Sequence, residues 1–275
     1  MHYAELQVTS NFSFLRGGSH PDELAITAAA LELSAIAITD RNSLAGVVRA
    51  HTAAKEAGIR LLVGARLDLQ MDQQEEPELS LLCFPTDRAA YGRLSRLLTV
   101  GRRRAPKGDC WIGLEDVFAH DPGQIFVVLP LLEPDAAFTA QLRQLGQRWP
   151  GRCYLAGHYL YSGDDRRRLA GLAHLAEIAR TPLVATNDVH YHSPGRRPLQ
   201  DVLCCIREHC TLAEAGFYLD ANAERHLKDT GEMARLFAAY PDAVARTVEL
   251  AERCRFSLDE LRYEYPAEPV PHGRT

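Results

Sequence analysis

Short apolar runs alternate with segments of helical period along most of this 275-residue chain, and this alternation constrains the fold more than any other feature. The apolar runs predict strands at 3–9, 35–40, 59–69, 79–84, 125–132, 153–160 and 182–189. The segments between them predict helices at 21–33, 43–58, 87–103, 134–148 and 164–180. Repeated strand–helix units indicate parallel strands joined by right-handed crossovers, so the predicted fold class is α/β.

Two arrangements of such a sheet are open, a doubly wound sheet and a closed barrel. The segment NFSFLRGG after the first strand has glycines, but it lacks the G-x-G-x-x-G spacing of a dinucleotide-binding turn. This favours a barrel, in which working residues lie at the carboxyl ends of the strands.

The pattern changes near residue 194, after which no strand is predicted. Helices are predicted at 196–209, 223–239 and 241–254, and the end of the chain, YEYPAEPVPHGRT, is proline-rich. The predicted organisation is therefore a barrel over 1–194, a helical extension over 195–260 that packs on or leaves the barrel, and a connector over 261–275.

Composition and charge exclude several classes of protein. Hydrophobic residues make up 46% of the chain, which is enough for a sizeable core, and the formal net charge is -5, whereas a freestanding DNA-binding domain is usually basic. No apolar run is long enough to cross a membrane, and MHYAELQVTS does not resemble a signal peptide. The seven irregularly spaced cysteines are typical of reduced thiols, which indicates a cytoplasmic protein.

Among the predicted strand ends, one carries plausible metal ligands. Asp188 and His190 are two residues apart on an extended segment, so both side chains can point the same way, and the pair suits zinc, manganese or iron. A stable site needs further ligands. The cluster around Cys204, Cys205 and Cys210 lacks C-x2-C spacing and is better interpreted as core packing.

Three segments carry a resemblance to a known family: YAELQVTSNFSFLRGGSHPDEL, AIAITDRNSLAGVVRAH and PLVATNDVHYH. They resemble the amino-terminal PHP (polymerase and histidinol phosphatase) domain of bacterial DNA polymerase III alpha subunits, most closely the error-prone branch. The resemblance covers nearly the whole chain. It implies a distorted seven-stranded (β/α) barrel, similar to a TIM barrel, followed by a helical segment.

Active members of that family bind up to three metal ions, and the resemblance implies where their ligands would fall. At most of those positions this chain has other residues: Gln7 and Thr9 replace the first two histidines, and Arg16, Arg41 and Arg66 replace later ligands. The ligands that remain are Asp188 and His190. The resemblance therefore supports the fold and argues against the metal chemistry, so no cofactor is expected in this chain.

The replacement arginines suggest a physical substitute for the metal ions. Arg16, Arg41 and Arg66 would approach the barrel mouth together with Asp40 and Asp188. Guanidinium groups can neutralise converging carboxylates by bidentate pairing. The alternative is that the arginines point into solvent. His158, near another strand end, is either a remaining polar residue of the mouth or a structural histidine.

A basic cluster at a predicted helix end offers a second candidate site, formed by Arg102, Arg103, Arg104 and Lys107. These cations would contact DNA phosphates or a partner protein, or they would complement the helix dipole without any partner.

Three functions remain open from the sequence. The resemblance implies a scaffold domain of an error-prone DNA polymerase that copies damaged templates and uses magnesium in a polymerase body elsewhere. The second is a metal-dependent phosphoesterase or 3′–5′ exonuclease. The third is a non-catalytic module that recruits proteins of a mutagenesis complex. The expected partners are the polymerase body, DNA through the parent protein, and mutagenesis-complex proteins, with no membrane.

Overall fold

A computed structural model describes residues 2–70 and 79–262. Most of the predicted connector lies outside these residues. In the described part the α/β class is confirmed, with strands β1 Ala4–Glu5, β2 Ala35–Ile38, β3 Arg60–Val63, β4 Ala65–Leu69, β5 Leu79–Pro85, β6 Gln124–Leu129, β7 Cys153–Gly157 and β8 Leu183–Ala185. The helices are α1 Pro21–Ala30, α2 Val47–Ala57, α3 Arg88–Arg104, α4 Leu114–Ala119, α5 Ala136–Arg148, α6 Asp165–Ala179, α7 Arg197–Arg207, α8 Thr230–Leu236 and α9 Pro241–Arg253.

The described strands form two sheets rather than the single seven-stranded barrel that was expected. One sheet has the order β1-β2-β3 and is parallel, and the other has the order β4-β5-β6-β7-β8. Single bridges connect the sheets beyond the strand ends, one between Val8 and Val189 and one between Arg41 and Arg66. In the second sheet β5 runs antiparallel to both β4 and β6, so the expectation of parallel strands throughout was wrong.

The predicted strand 59–69 is two strands, divided at Gly64. A Cβ atom at this position would lie 2.8 Å from the ring of Phe84, so only glycine allows the approach. The chain bends here, β3 pairs with β2, and β4 pairs with β5 in the other sheet. The apolar pattern does not indicate such a bend, because apolar residues continue on both sides of Gly64.

Both sheets enclose one interior. Alternate strand residues from the two sheets form a shared cluster with Leu250 and Ala251 of α9 and with Cys254, which directly follows the helix. The helix is also held at the beginning of two strands: the Ala4 amide donates to Thr247 Oγ1 at 3.0 Å, and Arg246 donates to the Leu183 carbonyl at 2.9 Å. Helix α9 therefore covers the amino-terminal ends of the strands and leaves the carboxyl-terminal ends open.

The predicted helix 223–239 was mostly wrong, because α8 covers Thr230–Leu236 alone. Residues before Asp229 pair with the segment that follows β8: the amides of His190 and Tyr191 both donate to the Arg225 carbonyl, and Tyr191 forms a bridge with His226. Asp229 then caps α8 by accepting from the Glu232 amide. Helix α4 was not predicted.

The seven cysteines form no disulfide within the described residues, and six of them are buried. Cys204 and Cys205 lie on the buried face of α7.

Candidate functional site

The carboxyl-terminal ends of the strands open into a cleft of about 460 Å³. Seven of the residues selected from the sequence line it: Gln7, Thr9, Arg16, Arg41, Arg66, Asp188 and His190. His158 also lines it. Asp40, the remaining residue predicted at the mouth, does not.

Asp40 is fully buried beneath the cleft. Its carboxylate accepts hydrogen bonds from the Ser10 amide at 2.8 Å, from Ser10 Oγ at 2.8 Å and from Ser13 Oγ at 2.7 Å. Burial raises the pKa of Asp40, and the serine hydrogen bonds lower it by less. The predicted role of Asp40 in pairing with arginine was therefore wrong, because this carboxylate organises the loop that carries Arg16.

That loop is fixed by close packing. A Cβ atom on Gly17 would lie 2.2 Å from the Ser10 carbonyl oxygen, so the loop closes on itself only with glycine there. The Gly18 amide donates to the His190 carbonyl at 2.7 Å. The loop therefore delivers Arg16 to the cleft and joins it to the segment after β8.

Arg41 and Arg66 share one carboxylate. Arg41 lies 3.1 Å from Asp68 Oδ2 and Arg66 Nε lies 2.7 Å from Asp68 Oδ1. Ser80 Oγ also donates to Asp68 at 2.7 Å. Pairing of the arginines with a carboxylate was predicted, but the predicted partners were wrong. Asp68 was overlooked, although its position two residues after Arg66 on a strand places both side chains on the same face.

Asp188 pairs with a different cation, Arg225. One carboxylate oxygen contacts Arg225, and the other accepts from Gln7 Nε2 at 2.6 Å. Arg225 also contacts Asp220, with Nε 3.0 Å from Oδ1. Burial is the largest single effect and would raise the pKa of Asp188. The nearby positive charges together, with Arg225 the strongest of them, outweigh burial and hold the pKa well below its usual range. No sequence signal indicated Arg225 or Asp220. Arg225 lies within a segment that was predicted as helix, and Asp220 lies between two predicted helices.

The backbone of Asp188 adopts a left-handed conformation with φ of 46°. Aspartate tolerates this region better than most residues, and such conformations cluster at functional sites. The turn aims the carboxylate into the cleft while Val189 returns to pair with Val8.

A hydrogen-bonded chain connects His158 to Asp188 through Gln7, and His190 lies close to the same carboxylate. Gln7 uses its Nε2 to donate to Asp188, so its Oε1 accepts from His158 Nε2 at 2.8 Å and from Thr186 Oγ1 at 3.0 Å. This arrangement requires the proton of neutral His158 on Nε2. His190 Nε2 lies 3.7 Å from Asp188 Oδ1. Burial lowers the pKa of both histidines to about 4, against the opposing charge of Asp188.

The histidine pKa values predict acid sensitivity. Each histidine has a lower pKa in the folded state than in the unfolded state, so the neutral form favours folding. This contribution to stability is complete above pH 6.5 and is lost as pH falls toward 4. We expect His158 to contribute about 2 kcal/mol to the loss of unfolding free energy between pH 7 and pH 5. Denaturant unfolding of the unsubstituted chain and of His158→Gln at both pH values measures this difference. The exposed His174→Gln should keep the pH dependence of the unsubstituted chain. If the unfolding free energy of His158→Gln changed with pH as much as that of the unsubstituted chain, buried His158 would not be the cause.

The basic cluster at the end of α3 is divided by the structure. Arg102 donates to the Asn42 carbonyl at 2.8 Å, and Arg104 forms two hydrogen bonds with Asp116 at 2.7 and 2.9 Å. Arg103 and Lys107 are exposed. Two of the four cations thus act within the domain, and contact with DNA or a partner stays a prediction that depends mainly on the other two.

Comparisons with known proteins agree with this architecture. Residues 5–118 match the family model of the PHP domain. The chain is 55% identical over 273 residues to an error-prone DNA polymerase of Caulobacter vibrioides, and the match covers 99% of this chain and 25% of that protein. It is 47% identical over 274 residues to error-prone DNA polymerase 2 of Agrobacterium fabrum, covering 100% of this chain and again 25% of the relative. The chain therefore spans about a quarter of the length of the curated relatives it matches.

Solved structures support the fold at low sequence identity. An amidohydrolase from Chromobacterium violaceum aligns with a TM-score of 0.52 and 16% identity, covering 69% of this chain and 88% of that one. A candidate metal-dependent phosphoesterase from Bifidobacterium adolescentis aligns with a TM-score of 0.50 and 15% identity, covering 86% and 96%. Within the described residues, no helix is long and apolar enough to cross a membrane. By sequence, residues 5–118 of this chain are a PHP domain, and nearly the whole chain is similar to part of proteins that are named error-prone DNA polymerases.

Proposed function

We propose that this chain is a degenerate PHP domain that acts as a structural scaffold for an error-prone DNA polymerase and does not itself hydrolyse phosphoesters. The parent protein would join nucleotides opposite damaged template bases in the cytoplasm. Its magnesium ions and catalytic carboxylates would belong to a polymerase body in the remaining three quarters of the relatives' length. DNA and proteins of a mutagenesis complex would be partners of that parent.

The observation that carries the proposal is the ion pair between Asp188 and Arg225. In the family's active members the position of Asp188 binds metal, but here both of its oxygens already have partners, Arg225 on one side and Gln7 on the other. A divalent cation at this place would have to displace both partners and lie close to guanidinium groups, which repel it and donate no lone pair.

The remaining donors fit a metal ion poorly as well. Gln7 and Thr9 stand where the active members have histidines, and Arg16, Arg41 and Arg66 stand at three further ligand positions. Within residues 2–70 and 79–262, no three His, Cys, Asp or Glu side chains are arranged to hold a metal ion. In this chain arginine side chains therefore neutralise the carboxylates of the cleft, whereas the active members of the family use metal ions for this.

Metal content tests the proposal. We expect less than about a tenth of an equivalent of zinc, manganese or iron, measured by plasma mass spectrometry on protein purified without chelator and without a nickel affinity tag. A phosphodiester substrate incubated with added Mn²⁺ or Zn²⁺ should not be hydrolysed above the rate without protein. The matched comparison is Asp188→Ala against Asp109→Ala, because Asp109 is exposed and does not line the cleft. A stoichiometric metal that is lost in Asp188→Ala and kept in Asp109→Ala would favour the phosphoesterase instead.

A further inference from the structure

One wall of the cleft concentrates positive charge. Arg41 and Arg66 face each other across a parallel bridge between the end of β2 and the beginning of β4, so the register of the two segments forces their side chains together. The backbone holds this register, because the Asn42 amide donates to the Arg66 carbonyl at 2.7 Å and the Arg66 amide donates to the Asp40 carbonyl at 3.1 Å. Arg16 lies on the same wall, near enough to Arg41 to lower its pKa.

The positive wall is not neutralised by its carboxylate. Asp68 is the acid that pairs with Arg41 and Arg66, and it supplies one negative charge for two guanidinium groups before Arg16 is considered. The pKa of Arg41 is lowered to about 10, mainly by burial and next by the neighbouring Arg66 charge, which has a larger effect than the opposing charge of Asp68. The chain as a whole has a net charge of -5, so this positive wall is a local exception. An anion bound in the cleft would reduce the repulsion between its arginines.

Donor groups on this wall remain available. Within the described residues, Arg41 uses one nitrogen in its ion pair with Asp68. Arg66 uses two nitrogens, one donating to Asp68 and the other to Ser80 Oγ at 3.2 Å. Guanidinium carries five N–H donors, so each of these side chains keeps several for a ligand.

Buried polar atoms elsewhere in the cleft also lack partners. Gln200 is 5% exposed and lines the cleft, yet its Oε1 has no hydrogen-bond partner among the described residues. Arg168 Nε, in the same lining, is buried and likewise without a partner in the described part of the chain. Because buried polar groups in folded proteins are nearly always hydrogen-bonded, the Arg168 N–H indicates an acceptor in the cleft, and the Gln200 oxygen indicates a donor such as ordered water.

The acidic side of the cleft does not oppose an anion strongly. Arg225 lies between Asp188 and Asp220 and offsets part of their charge, and the two histidines are neutral at pH 7 because their pKa values are about 4. The cleft therefore has a cationic wall and an acidic side whose charge is partly offset by Arg225. Its volume of about 460 Å³ exceeds what a tetrahedral oxyanion needs.

We infer that the cleft binds a phosphate-type oxyanion on the wall formed by Arg41 and Arg66, without any metal ion. Planar guanidinium groups match the oxygens of phosphate in bidentate geometry, which favours phosphate over a monovalent halide. The same chemistry occurs in free inorganic phosphate and in the phosphate monoester of a nucleotide. The inference stands whether or not the parent protein is a polymerase.

Isothermal titration calorimetry of the full 275-residue chain in the presence of EDTA tests the inference. The probes are inorganic phosphate and a deoxynucleoside 5′-monophosphate, each at concentrations up to about 10 mM. We expect saturable binding that weakens as salt is raised. The presence of EDTA separates this result from a metal-dependent phosphoesterase, whose phosphate affinity would vanish with its metal.

The variants are Arg41→Gln and Arg66→Gln, with Arg103→Gln as the matched control. All three remove one positive charge, but Arg103 is exposed on α3 and does not line the cleft. We expect the cleft variants to lose at least about tenfold in affinity, since each removes charge-assisted hydrogen bonds, and the control to stay within about twofold. If Arg66→Gln does not fold, Arg41→Gln alone tests the inference. The Arg41 side chain is 25% exposed and forms one ion pair, so its replacement should disturb the fold less.

The outcomes are distinct. Tighter binding of the monophosphate than of inorganic phosphate identifies a nucleotide as the source of the ligand, and the reverse identifies the free anion. Absence of saturable binding for both probes, or equal weakening in Arg103→Gln, would overturn the inference. A metal-containing protein that also binds phosphate in EDTA would contradict the proposed scaffold function and leave this inference intact.

Discussion

Replacing Asp40 with alanine should lower the free energy of unfolding by about 4 kcal/mol, the largest effect expected of a single substitution in this chain. Asp40 is fully buried, and it accepts from the Ser10 amide, Ser10 Oγ and Ser13 Oγ. The burial-raised pKa of Asp40 shows that desolvation of the charge outweighs these hydrogen bonds. The loss on substitution therefore comes mainly from three donors left without an acceptor, and denaturant unfolding at pH 7 measures it.

Two further variants separate this cause from a loss of charge. Asp40→Asn keeps a side-chain oxygen as acceptor and should cost about half as much as Asp40→Ala. The exposed Asp109→Ala removes the same charge and should leave unfolding unchanged. If Asp40→Asn and Asp40→Ala were equally destabilised, the charge itself and not the stranded donors would be responsible.

Arg225→Gln should lower the free energy of unfolding by about 3 kcal/mol at pH 7, because it leaves Asp188 largely buried without its cation. Asp188 and Asp220 would then also repel each other, since Arg225 contacts both. In the unsubstituted chain, the pKa of Asp188 is lower in the folded state than in the unfolded state, so ionised Asp188 stabilises the fold above about pH 4. This contribution is lost at lower pH. The difference between parent and variant should therefore shrink as pH falls through this range.

The double variant Asp188→Asn with Arg225→Gln tests the pairing itself. It removes the buried charge together with its partner and should recover part of the stability lost in Arg225→Gln. Arg235→Gln breaks an exposed ion pair with Glu232 and should change unfolding little, because exposed pairs contribute little. Equal destabilisation by the single and double variants would show that Arg225 acts through packing and not through Asp188.

The positions of most strands followed from sequence because each is a compact apolar run bounded by turn residues. β2 at Ala35–Ile38 and β6 at Gln124–Leu129 lie within or near their predicted ranges. The direction of β5 did not follow from sequence, since an apolar run reads the same in either direction. The division at Gly64 also escaped prediction, because its cause is the ring of Phe84, twenty residues further along the chain.

The sequence by itself determined the α/β class and the resemblance to the PHP domain, because these depend on local pattern and residue identity. Through that resemblance it also predicted the replacement of metal ligands at Gln7, Thr9, Arg16, Arg41 and Arg66. The tertiary structure alone decided how the remaining charges are held. It pairs Arg41 and Arg66 with Asp68, buries Asp40 away from the cleft, and brings Arg225 across 37 residues to Asp188. The physical reason is that a buried charge takes whichever partner the folded backbone places within a few ångströms, and sequence separation carries no information about that distance.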